Sequence, residues 1–187
     1  MQEEVEFVLD VCKEKMGEAV GHLEKELVHI RAGKASPTML DGVHVEYYGS
    51  LVPLSQVSNV STPDARTIAI QPWEKKLIPE IEKAIMAANL GFNPDNNGDI
   101  IRINIPVLTE ERRRSLVKQA HHEGENTKIS VRSARKDAND TLKKLQKDGL
   151  SEDIQKDAEA DVQKMTDNYS KKIDSLVEAK EKDIMTI

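Results

Sequence analysis

Three stretches of this chain place apolar residues in alternating steps of three and four, and that periodicity constrains the fold more than any other feature. In the first, Val5, Leu9, Cys12, Met16, Ala19, Leu23, Leu27 and Ile30 line one side of a helix. The second opens at Thr109, a residue type suited to cap a helix. Glu110 and Glu111 follow in the first turn, where carboxylates meet the positive end of the dipole. Its stripe is Leu116, Ala120, Val131, Ala134, Ala138, Leu142 and Leu145, and Asp148-Gly149 supplies the stop. The third starts at Ser151 and carries Ile154, Ala158, Val162, Met165, Tyr169, Ile173 and Leu176. A narrow apolar seam has to be covered by another element, and three such seams cover one another. The aromatic content of 3% fits a core of Leu, Ile, Val, Met and Ala packed helix on helix.

Between the first two helices, from about Ala32 to Pro106, the rhythm changes. Ser36-Pro37, Thr62-Pro63, Gln71-Pro72 and Asn93-Pro94 mark turns. Short alternating runs from Val43 (VHVEYY), Arg66 (RTIAI) and Ile100 (IIRINI) predict strands. One stretch, EKKLIPEIEKAIMAAN, reads as a helix: Leu77, Ile81, Ile85 and Ala88 share a face, Pro79 suits the first turn, and Asn89-Leu-Gly91 offers a stop. The expected fold is α+β, a long three-helix bundle (residues 1–31 plus 107–187) interrupted by a small inserted strand-rich α+β domain (32–106). The chain crosses twice between them, near Arg31, Ala32 and Gly33 and again near Asn104, Pro106 and Val107. Paired short linkers of this kind make a two-strand hinge.

Charge is laid out unevenly. The formal net charge is −6, yet residues 112–136 hold eight cations (Arg112, Arg113, Arg114, Lys118, Lys128, Arg132, Arg135 and Lys136) against Glu123 and Glu125, a local +6. At about 100° per residue, Arg114, His121, Lys128, Arg132, Arg135, Asn139 and Lys143 fall on one face, away from the apolar stripe. A helix from about Glu110 to Lys147 would run roughly 57 Å, so the sequence predicts an extended positive edge rather than a pocket. Such runs are commonly solvated faces, and Lys143 and Lys144 near Asp140 and Asp148 fit that reading as surface pairs. Segregation and the preponderance of Arg, whose fork takes phosphate oxygens in a bidentate way, point instead to nucleic acid. No aromatic residue interleaves the cations, so the expected contacts are phosphate backbone and RNA shape rather than stacked bases.

Other chemistry finds little footing. His121-His122 diverge on a helix, where a metal pair wants i and i+4 spacing. Asp95-Asn-Asn-Gly-Asp99 has its glycine misplaced for a calcium loop, and Pro106 stands where the last ligand would be, so a polar turn is expected. Cys12 lies on the apolar seam as an inert thiol and cannot form an intramolecular disulfide. Tyr47-Tyr48 is a possible contact patch with one ring turned inward. There is no Gly-rich phosphate loop and no catalytic constellation, so no enzyme, cofactor or metal is expected. The acidic start MQEEVEF and the lack of a long apolar run predict a cytoplasmic protein without membrane contact. Two function classes stay open on this reading: an RNA-binding factor, and a helical adaptor or chaperone whose charged helix meets an acidic protein.

Four ordered blocks narrow the choice. IRAGKASPTMLDGVHVEYYGSLVPL (Ile30 to Leu54), IEKAIMAANLGFNP (Ile81 to Pro94), VLTEERRRSLVK (Val107 to Lys118) and VRSARKDAND (Val131 to Asp140) resemble the ribosome recycling factor family across nearly the whole chain. The resemblance implies a monomeric cytoplasmic factor. It would bind the post-termination ribosome through large-subunit ribosomal RNA and, with elongation factor G and its GTP hydrolysis, split the ribosome into subunits. Carried over by motif, Arg135, Arg132, Lys136 and Arg113 face RNA, and Arg31 takes the hinge-proximal position. Two departures stand out. Lys34 occupies a position where the family commonly has Arg, which loses a bidentate fork, and Val107 occupies one where the family often has Pro, which loosens one linker.

Overall fold

A computed structural model describes residues 1–30 and 33–186; Arg31 and Ala32, both predicted site residues, lie outside them. The chain forms two compact units, Met1–Ala32 with Glu110–Ile187, and Gly33–Thr109. The return boundary at Thr109 lies beyond the Pro106/Val107 junction expected from the sequence. Leu108 stays with the inner unit because its side chain covers Gly33, where a Cβ would sit 2.6 Å from Leu108 Cγ.

The outer unit consists of α1 (Gln2–His29), α3 (Glu110–Lys147) and α4 (Glu152–Met185), each packed on the other two. The buried seam of α1 is Val5, Val8, Cys12, Met16, Val20, Leu23 and Leu27. Periodicity selected Leu9 and Ala19, which are half-buried, over their neighbours Val8 and Val20. Each pair is two adjacent apolar residues 100° apart, and three-or-four stepping admits either member. On α3 the seam is built from small residues, Ala120, Gly124, Thr127, Ala134 and Ala138, between Leu116, Val131 and Leu142. This lets the neighbouring helices approach closely, most of all at Gly124, where a Cβ would lie 2.6 Å from Val177 Cγ2. The α3–α4 turn closes as anticipated at Gly149 (φ 112°). Its N–H donates to Gln146 O at 3.1 Å, and Leu150 N–H donates to Leu145 O at 2.9 Å.

The α4 seam departs most from the sequence reading. Ile154 is 44% exposed, whereas Gln155 is buried with its amide donating to Glu159 Oε1 at 3.0 Å. Thr166 and Val177 are buried where Met165 and Leu176 were expected, and Met165, Tyr169 and Leu176 are half-buried. Thr166 satisfies its hydroxyl on Val162 O at 2.8 Å, so a polar residue enters the core without an orphaned donor.

The inner unit holds a hairpin and a four-stranded sheet. The hairpin pairs β1 (His44–Tyr47) with β2 (Ser50–Pro53) through a two-residue turn, in which Tyr48 (φ 47°) and Gly49 (φ 81°) both take positive φ. The sheet is antiparallel, ordered β3-β4-β6-β5, from β3 (Ser58–Asp64), β4 (Thr67–Pro72), β5 (Pro94–Asn96) and β6 (Ile101–Asn104). Ile68 and Ile70 of β4 and Ile101 and Ile103 of β6 alternate onto one buried core with Ile78, Ile81 and Ile85 of α2 (Ile78–Ala87). Asn104, expected at the hinge, is instead the last residue of β6, in register with Thr67, and so belongs to the sheet. The segment Asn96–Asp99 is a polar turn closed by Asn96 and Asn97 side chains, with Lys75 paired to Asp99 at 2.5 Å.

Candidate nucleic-acid interface

Burial of Val131, Ala134, Ala138 and Leu142 fixes the rotation of α3 and sends Arg132, Arg135, Lys136, Asn139 and Lys143 outward. With Ser133 and Asp140 these residues line one open groove on the helical unit. Among the described residues, Arg132, Lys136 and Lys143 have no carboxylate within salt-bridge distance. Arg135 is half-buried and braced: its Nη1 donates to Gln163 Oε1 of α4 at 3.4 Å, and Gln163 Nε2 donates to Asp167 Oδ1 at 2.9 Å. Gln163 therefore aims the Arg135 guanidinium without neutralising it.

The other half of the predicted positive edge is paired. Arg114 Nη2 meets Glu110 at 2.6 Å and His121 Nε2 meets Glu181 at 3.0 Å. Lys128 is held by Asp174 at 2.6 Å, with Glu125 at 3.7 Å. The Asp174 carboxylate lifts the Lys128 ammonium above its ordinary range against the opposing cost of burial. On this face the unpaired cations thus run over residues 132–143, about 17 Å of helix axis, while Lys118, Lys144 and Lys147 are exposed cations elsewhere on α3. Helical-wheel reasoning placed all these cations on one face but had no access to Glu181 and Asp174, which α4 brings beside His121 and Lys128.

Arg113 stands apart from the groove. It is half-buried, and its Nη1 donates to the carbonyls of Ile184 at 2.9 Å and Thr186 at 3.3 Å, two of the carbonyls left open at the end of α4. Of the predicted hinge residues, Gly33 takes φ 74° and Val107 is 56% exposed; Pro106 is exposed as well. Two residues were missed. Gln163 carries a readable i, i+4 partner in Asp167, but nothing in the sequence turns it toward α3. Ile129, 58% exposed, stands one heptad before Lys136 and two before Lys143 and adds an apolar contact to the cationic stripe. Among the described residues, no group of three His, Cys, Asp or Glu side chains is placed to hold a metal ion, and no helix is long and apolar enough to cross a membrane.

Residues 23–185 match the family model for ribosome recycling factor. The ribosome-recycling factor of Flavobacterium johnsoniae is 59% identical over 187 residues, covering 100% of both chains. That of Parabacteroides distasonis is 58% identical over 176 residues, 94% of each. A solution structure of ribosome recycling factor superposes with TM-score 0.76 at 40% identity, covering 98% of both chains. A T. thermophilus ribosome recycling factor, described with the E. coli elongation factor G bound to the E. coli post-termination complex, gives TM-score 0.62 at 43% identity, covering 97% of this chain and 99% of that one.

Proposed function

The chain belongs to the ribosome recycling factor family, and on that premise we propose that its helical unit anchors on large-subunit ribosomal RNA through Arg132, Arg135, Lys136 and Lys143. The observation that carries this reading is the contrast along one face of α3 between Arg114, His121 and Lys128, each beside a carboxylate, and Arg132, Lys136 and Lys143, which have none within salt-bridge distance. On this face Arg114 and Lys128 are held by nearby carboxylates, and cations without such partners begin where the groove begins. Arg forks on a rigid helix meet phosphate oxygens at low entropic cost, and the scarcity of aromatic residues fits backbone contact rather than base stacking. Arg113 is left out because its guanidinium already serves the end of α4.

Subunit splitting requires work. The groove offers binding groups and no reactive constellation, so the energy comes from a partner; elongation factor G and its GTP hydrolysis fill that role. The inner unit is the moving part, carried on the crossings at Gly33 and at Pro106–Val107, with the protein acting as a cytoplasmic monomer. Arg31, within the first crossing, contributes a further cation to RNA. Co-sedimentation with vacant ribosomes across a salt series tests the anchor. The Arg132→Ala/Arg135→Ala variant is expected to lose affinity with a shallower salt dependence, since each phosphate contact contributes about 0.7 to 0.9 to the slope. Equal binding by the variant would place the anchor elsewhere, and no binding by either protein would favour an adaptor for an acidic protein.

A further inference from the structure

On the side of α3 away from the cationic groove, α1 and α3 leave an apolar recess open to solvent. Phe7, Val8, Val11 and Cys12 form one wall and Ala134 and Ala138 the other, enclosing about 140 Å³. The apolar part of the α3 wall is alanine, whose methyls do not reach across, and Lys15, Asp137 and Thr141 complete the lining. Phe7 is 68% exposed at its rim, unusual for a Phe in a chain with so few aromatic residues. A volume near the roughly 150 Å³ that accepts benzene in an engineered cavity suits one branched aliphatic or aromatic side chain.

Charge around the recess selects what brings that side chain. Glu4 and Glu18 stand seven residues either side of Val11, and Glu14 seven after Phe7, so the first two follow the line of Val11 and the third that of Phe7 on the same side of α1, Glu4 lying 3.6 Å from the N-terminal amine. They are exposed, and residues 3–18 carry six carboxylates against Lys13 and Lys15, a net of −4. Lys15 is engaged with Asp137 across the groove at 3.5 Å, which leaves its charge locally compensated. Phosphate and anionic lipid are repelled here; a cation is drawn in. We propose that this groove docks a cationic amphipathic polypeptide helix, one apolar side chain filling the recess and Lys or Arg residues reaching Glu4, Glu14 and Glu18. The acids span fourteen residues, about 21 Å, or four turns of a partner helix. The recess uses Ala134 and Ala138 while the cationic groove uses Arg132, Arg135 and Lys143, so α3 serves both surfaces at once.

A fluorescein-labelled helical peptide of Leu and Lys in heptad spacing, titrated with the full-length protein and followed by anisotropy, tests the assignment. Phe7→Ala, a truncation at an exposed position, and Glu4→Lys/Glu14→Lys should each weaken binding by about tenfold, the scale of one buried aromatic contact. Arg132→Ala/Arg135→Ala should leave it unchanged, as should Glu178→Lys on α4. Equal weakening by Glu178→Lys would reduce the effect to general attraction for an acidic protein, and undiminished binding by Phe7→Ala would remove the recess; either overturns the proposal. Sedimentation equilibrium without peptide supplies a further arm: self-association abolished by Phe7→Ala would give the groove to a second copy of this chain and overturn it as well.

Discussion

Gly124 and Gly21 show how one residue type takes opposite roles within the same bundle. Both lie in helices, where glycine costs about 1 kcal/mol relative to alanine. A Cβ at Gly21 meets nothing within 4 Å, whereas at Gly124 it collides with Val177, a β-branched side chain with little freedom to turn away. Gly21→Ala should therefore stabilise by about 0.5–1 kcal/mol. Gly124→Ala should destabilise by about 1 kcal/mol net, because overpacking of about 1–3 kcal/mol exceeds the gain in propensity. Urea titration of the two variants checks the signs; a stabilising Gly124→Ala would mean that the helices separate freely there. Cys12 gives a second prediction. It is 2% exposed, and burial pushes its thiol up, with Lys15 partly opposing. The folded state thus holds the thiol proton to higher pH than the unfolded chain does. Stability from this site is present below the ordinary thiol value of about 8.5 and is lost as pH rises toward the raised one. Between pH 8 and 10, Tm should fall less steeply in Cys12→Ala than in the parent, whatever the offset from the cavity. Burial of Cys12 was legible from its place on the seam; the need for glycine at 124 was not, because it depends on a side chain more than fifty residues away.

At the scale of elements, sequence reading succeeded where one element's own pattern determines its state. The three long helices and α2 follow from periodicity and stop signals, and so do β1, β4 and β6, each rich in alternating apolar residues. β3 escaped because SNVSTPD has no alternation and contains Pro63. It exists as an edge strand only through pairing with β4, and its register breaks between Ser61 and Asp64. β2 and β5 escaped for the same reason, since pairing rather than pattern makes them strands. The candidate site divides along the same line: the cluster Arg132, Arg135 and Lys143 is visible on a helical wheel, while the pairing of His121 and Lys128 and the brace from Gln163 depend on how α4 lies. Gln163→Ala should release the Arg135 guanidinium and weaken ribosome binding by a few-fold without moving Tm. Arg113→Ala should instead leave ribosome binding intact and fray α4, seen as faster amide exchange over residues 180–186, because the Ile184 and Thr186 carbonyls lose their donor. The pair separates a positioning residue from a capping one, and the reverse pattern would exchange their roles.

The whole molecule consists of a helical unit interrupted by an inserted one, and the insertion is closed at its own base: Gly33 lies against Leu108, so the inner unit begins and ends at nearly one point. An insertion with adjacent ends imposes little on the host chain. Each unit also has its own buried core, with the inner one built from Met39 to Ile105 and the outer one from the three helix seams. Replacing residues 33–109 by a short Gly/Ser linker should therefore leave α1, α3 and α4 folding cooperatively, with the free cations at 132–143 unaltered. That truncated protein is expected to co-sediment with ribosomes with the parent's salt dependence, and to fail to split them when elongation factor G and GTP are added. The division follows from the roles proposed for each part: an electrostatic anchor on α3, and a movement that uses the second unit and its two crossings. Loss of binding on excision would shift the anchor to the inner unit. Retained splitting would show that the helical unit alone transmits the work, and the hinge at Gly33 and Pro106–Val107 would drop out of the mechanism.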